Sequence, residues 1–87
     1  MEYRIKNPVK KLRQTQPGLR QIDLAECTGL SQRTIAGLEV GDCSAMHMRT
    51  AQKIARYFNI SAAKLITEYI LWRAENSHQE ESYLQHV

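Results

Sequence analysis

Apolar residues recur along this chain at intervals of three and four between short polar corners, a rhythm that predicts a series of helices. The first opens at Asn7-Pro8, where Asn can cap free backbone donors and Pro is preset for the first helical turn. It spans residues 8–15 with Val9 and Leu12 inward, and Pro17-Gly18 ends the pattern. A second helix, residues 21–28, offers Ile22, Leu24 and Ala25 to the interior. Gly29 suits the left-handed conformation that closes a helix, and Leu30 follows as a plug. Ser31 then caps a third helix over residues 32–39, with Ile35 and Leu38 on one face and Gln32, Arg33, Thr34 and Gly37 outward. Gly41 is a stop, and residues 41–47 read as a loop.

A fourth helix is expected over residues 48–58, with Ala51, Ile54, Ala55 and Phe58 inward, and Asn59-Ile60 makes the next corner. Ser61 caps a fifth, running from Ala62 at least to Ala74. Only residues 2–5 alternate in the manner of a strand, and residues 75–87 are polar enough to fray. The expected fold class is therefore all-α, with five helices. Residues 1–66 form one small domain, and residues 67–87 form an extended C-terminal helix and polar tail.

Composition agrees with a soluble globular chain: 43% of the 87 residues are hydrophobic and 24% charged. No apolar run approaches the roughly 20 residues of a membrane span, and the polar N-terminal stretch has no signal-peptide core, so a cytoplasmic location and no membrane partner are expected. Cys27 and Cys43 are too few and too irregularly spaced for a disulfide framework. Cys43 and His47 lie four apart, but His78 and His86 sit in the polar tail, so neither a metal site nor a cofactor is expected. The chain has no nucleophile with an adjacent base, no glycine-rich phosphate loop and no paired carboxylates on an apolar face, and catalysis is not expected.

Charge is unevenly placed. Residues 1–64 carry eleven Lys or Arg against five Asp or Glu, while residues 65–87 carry one Arg against four Glu. A basic first two thirds fits a surface that faces a polyanion.

Residues 18–41 then supply a more specific signal. Gln21, the Leu24-Ala25 pair, Gly29, Ser31, Ile35, Leu38-Glu39 and Gly41 stand without gaps in a pattern that resembles the lambda-repressor-like, Cro-type helix-turn-helix family. The spacing has physical sense: Ala25 is small where two helices cross, and Gly29 lets the chain reverse without a Cβ clash. Residues 50–61 look like the same family's fourth helix and the corner into its fifth, so the resemblance covers about residues 8–66. It implies a double-stranded DNA operator as partner. Gln21 would touch a phosphate and brace the recognition helix, and Gln32, Arg33 and Thr34 would meet base edges in the major groove. Arg can form two hydrogen bonds to guanine, which makes Arg33 the main expected specificity residue.

Departures from the family pattern carry their own expectations. Arg20 stands where Ser or Thr would cap the second helix, which costs about 1 kcal/mol of capping but adds a cation directed at the DNA backbone. Gly37 replaces a base-reading side chain and would let the helix approach DNA closely. Asp42 replaces a basic residue, so a close phosphate contact there is not expected, and Ser44, His47 and Arg49 are the candidates to make contacts from the loop and the fourth helix. The family's pairing of Arg13 with Glu39 would need one extra residue before Gly18 to be accommodated, and Glu39 is read as a structural acid.

On the fifth helix, Ala62, Leu65, Ile66, Tyr69 and Trp72 share one face, with Ile70 and Leu71 outside it. One stripe is enough to pack a helix on its own domain, so the excess suggests a homodimer through Tyr69, Ile70, Leu71 and Trp72, with an extended intramolecular core as the competing explanation. The function expected from these features is a dimeric, sequence-specific repressor of transcription. The alternative is an interaction module of antitoxin type, with a protein as its partner.

Overall fold

The computed structural model describes the backbone of residues 6–84 and the side chains of residues 6–76 apart from Cys43. Its regular elements are all helical: α1 (Pro8–Gln14), α2 (Gln21–Thr28), α3 (Gln32–Val40), α4 (Met48–Phe58) and α5 (Ala62–Leu84), with a 3-10 turn at Cys43–Ala45 before α4. The suggested strand at residues 2–5 lies outside the described residues. Helix α5 continues through the polar stretch expected to fray. Neither Gly nor Pro follows Ala62, and Glu, Gln and Ala are favourable in a helix, so nothing local interrupts it.

Helix starts follow from their capping side chains. Asn7 Oδ1 accepts from the Lys10 amide at 3.0 Å, Ser31 Oγ from that of Thr34 at 3.0 Å, and Ser61 Oγ from that of Lys64 at 3.2 Å. Each satisfies one of the amides that a helix start leaves without an internal partner. Three helices also end by one device, an amide reaching back five residues: Leu30 to Ala25 O, Asp42 to Gly37 O and Ile60 to Ala55 O. That reversal requires a left-handed residue, supplied by Gly29 at φ 78°, Gly41 at φ 103° and Asn59 at φ 57°. Gly41 is constrained twice, because a Cβ there would lie 3.3 Å from the Trp72 ring.

Val9, Leu24, Ile35, Leu38, Ala51, Ile54, Leu65 and Tyr69 form the core, each no more than 1% exposed. Burying a Leu or Ile of this kind contributes roughly 1.5–3 kcal/mol. Ala25, also buried, lets α2 and α3 approach closely. Two expectations about packing need correction. Ile22 is 40% exposed, since it lies two positions from Leu24 and thus on nearly the opposite side of the short α2. Tyr69 is not at an outer interface: its ring is in the core, tilted against Trp72 at a centroid distance of 5.4 Å, and Trp72 is itself half-buried against the domain. Of the four α5 residues expected at a dimer interface, only Ile70 and Leu71 stay on the surface, 59% and 53% exposed.

Candidate nucleic-acid interface

Helix α3 is held chiefly at its C-terminal end. The carbonyl of Leu38 accepts from Asn7 Nδ2 at 2.9 Å, Tyr69 Oη at 2.8 Å and the Gly41 amide at 3.3 Å, and Asn7 Nδ2 also reaches Glu39 O at 3.2 Å. The last carbonyls of a helix have no partners within it and carry partial negative charge, so donors converging there satisfy them and fix the helix end. Asn7 thus serves two helices at once, its oxygen starting α1 and its nitrogen closing α3. The Asn-Pro pair announced only the first role. Nothing local in the sequence announced the second, because its partner lies 31 residues away.

The Glu39 carboxylate forms the other anchor. Arg13 Nε donates to its Oε2 at 2.7 Å and Arg13 Nη2 to its Oε1 at 3.0 Å, while Gln21 Nε2 donates to Oε1 at 3.1 Å. A carboxylate with a side chain only 4% exposed needs such pairing to offset its lost hydration. The contact with Glu39 also raises the Arg13 pKa above its already high range, so the guanidinium stays charged. Arg13 Nη1 donates to Leu19 O at 2.9 Å, so the same guanidinium spans the corner into α2. The family pairing of Arg13 with Glu39 is therefore formed despite the extra residue before Gly18, and Glu39 joins α1, α2 and α3.

The other end of α3 is open. Ser31 caps it, and the Thr34 hydroxyl lies 2.9 Å from Ser31 Oγ, which engages Thr34 in the start of the helix. The side chains of Gln32 and Arg33 are exposed, and no hydrogen bond or ion pair ties them to another described residue. Gly37, one turn beyond Arg33, shares its outer face. Gln21, half-buried at the start of α2, braces α3 through Glu39.

Arg20 precedes α2 with a side chain 75% exposed, and its Nε lies 3.0 Å from Asp23 Oδ2. The same oxygen accepts from the Arg20 amide at 2.9 Å. These hydrogen bonds hold the Asp23 carboxyl below its usual range, and together they replace the missing Ser or Thr with the acid half of a capping box. Ser44 and Arg49 are exposed, in the 3-10 turn and the first turn of α4. Ser44 is engaged locally, its hydroxyl and amide both donating to Asp42 Oδ1. His47 is exposed as the residue before α4, within 3.2 Å of the Thr50 hydroxyl.

Two helices joined by a tight left-handed turn, the second anchored at one end and open at the other, form a helix-turn-helix. A family model described as Helix-turn-helix matches residues 9–65. The chain belongs to this lambda-repressor-like family. No match to a curated protein or to a solved structure is found. As a helix-turn-helix protein it is a DNA-binding regulator, with α2 and α3 as the two helices of the motif. Among the described residues, no group of three or more His, Cys, Asp or Glu is placed to hold a metal ion, and no helix is long and apolar enough to cross a membrane.

Proposed function

We propose that this protein is a dimeric repressor that reads a palindromic operator in the major groove with the first turn of α3. The observation that carries this reading is the contrast within α3: the helix is fixed by Asn7, Tyr69, Arg13 and Gln21, yet Gln32 and Arg33 project from it uncommitted. A rigid mount with free donors is what base readout requires, since a side chain already paired within the protein must break that contact to reach a base. Arg33 has the five-donor fork that matches guanine, and Gln32 can donate to and accept from adenine. Arg20 and Arg49, both exposed, would supply the phosphate contacts that position the head without reading sequence, while Ser44, whose hydroxyl and amide donate to Asp42, holds that acid in place. Thr34 completes the face as a hydroxyl at the helix start, and Gly37 leaves room on it for the Asp42 side chain.

Ile70 and Leu71, side by side and exposed on α5, support a twofold contact between copies. Two heads about 34 Å apart would then read equivalent half-sites on one face of DNA. A polar replacement such as Ile70→Glu is expected to give a monomer in sedimentation with an unchanged helical spectrum.

The deciding experiment is fluorescence anisotropy with DNA from upstream of the protein's own gene and with a scrambled duplex, for wild type and Arg33→Ala across a salt series. The expected result is a strong preference for the upstream duplex, relaxed by about 1–3 kcal/mol in Arg33→Ala, with affinity falling steeply with salt. Equal affinity for both duplexes that Arg33→Ala leaves unchanged would overturn base reading by α3.

A further inference from the structure

The outer face of α3 has a gap one turn beyond Arg33, and a residue from outside the helix covers it. A Cβ placed on Gly37 would lie 3.5 Å from both Cβ and Oδ2 of Asp42. The Asp42 amide donates to Gly37 O at 2.8 Å, so the backbone itself folds this residue back over the helix. The carboxylate is then locked: its Oδ1 accepts from the Ser44 amide at 3.1 Å and from the Ser44 hydroxyl at 2.5 Å. Both donors fall on the same oxygen. Oδ2 remains above Gly37 without a hydrogen-bond donor among the described residues. The Ser44 hydrogen bonds and, more weakly, the nearby Arg73 charge hold the Asp42 carboxyl below its usual range, so it is ionised at neutral pH.

We propose that Asp42 is a specificity-determining residue whose Oδ2, projecting over Gly37, accepts a hydrogen bond from the exocyclic amino group of a cytosine beside the base contacted by Arg33. The inference rests on the DNA reading proposed above. An ionised carboxylate can only accept. Cytosine offers an amino donor to the major groove, whereas guanine presents two acceptors and thymine one acceptor with a methyl group. Adenine pairs its amino donor with the N7 acceptor, which would face the carboxylate unfavourably. Asp42 therefore selects by repulsion as well as by attraction, a device that narrows the set of tolerated sequences more than it raises affinity. It also accounts for Gly37. A side chain there longer than a methyl group would displace the carboxylate, so the glycine keeps open the space from which the acid reads.

The test is selection from a randomised duplex pool with wild type, Asp42→Asn, Asp42→Ala and Ser44→Ala, with circular dichroism confirming the fold of each. Wild type is expected to enrich a guanine for Arg33 and a cytosine at a fixed offset from it. Asp42→Asn keeps the shape and the acceptor for Ser44 but puts an amide donor where Oδ2 stood, and should change the cytosine to a base that presents an acceptor, guanine or thymine, by roughly tenfold or more while leaving the guanine of Arg33 alone. Asp42→Ala should lose preference at that position only. Ser44→Ala retains the charge but frees the carboxylate, and should blunt the cytosine preference several-fold. The same preference at every position in wild type, Asp42→Asn and Asp42→Ala would overturn the proposal, as would an equal loss of preference at all positions. Failure of the wild type to enrich any sequence would instead remove the underlying DNA reading, and this inference with it.

Discussion

The two ends of α3 follow opposite rules. At the C-terminal end, Asn7 of the α1 start, Tyr69 of α5 and the Gly41 turn converge on one carbonyl, and Arg13 and Gln21 meet on Glu39. At the N-terminal end, Ser31 and Thr34 close the first turn, while Gln32 and Arg33 contact nothing that holds the fold. Stability and the proposed recognition thus fall to different residues less than three turns apart, and the anchored end gives the open end its direction.

The sharpest way to break this division is to hollow out the anchored end. Leu38→Ala, at a fully buried position, is expected to lower the unfolding free energy by about 2–5 kcal/mol in urea denaturation. Asn7→Ala removes the α1 cap and a donor to Leu38 O together, with an expected loss of about 1–2 kcal/mol by the same measurement. Tyr69→Phe deletes the buried hydrogen bond to Leu38 O and leaves Asn7 and Gly41 on that carbonyl, so its loss should be about 1 kcal/mol. The double variant Gln32→Ala with Arg33→Ala should stay within about 0.5 kcal/mol of wild type while weakening sequence discrimination. A stability loss there as large as that of Asn7→Ala would erase the distinction between the ends.

The smallest effect concerns the acid cap of α2. Asp23 is held below the ordinary carboxylate range by the Arg20 hydrogen bonds, so its stabilising contribution is complete above that range and is lost as pH falls through the lowered value. Carboxyl NMR titration should show that low midpoint in wild type and its return toward the ordinary value in Arg20→Gln.

Much of the helical layout was legible because it depends on local chemistry. Asn7, Ser31 and Ser61 mark starts and Gly29, Gly41 and Asn59 mark ends through contacts within five residues. What escaped was set by packing across the chain. Tyr69 belongs to an apolar stripe whether it faces a second copy or its own core, and only the position of Leu38, 31 residues away, decides for the core. Ile22 looked like an interior residue because apolar type alone does not say which side of an eight-residue helix is covered. On the outer face of α3, the motif pointed to Gln32 and Arg33, which are exposed, but gave no sign of where Asp42 would lie. Its replacement of a basic residue read as the absence of a phosphate contact, and nothing local foretold that the backbone after Gly41 would turn the acid back over Gly37.

The freedom of Gln32 and Arg33 from internal contacts also bears on how such a protein changes over generations. Because substitutions at these two positions disturb no buried group, base reading by them, as proposed, would let a lineage acquire a new address on the genome through single replacements, without passing through poorly folded ancestors. The clamp on Leu38, by contrast, permits little variation, so descendants with divergent targets should keep Asn7, Glu39 and Tyr69 while their first turns of α3 drift apart.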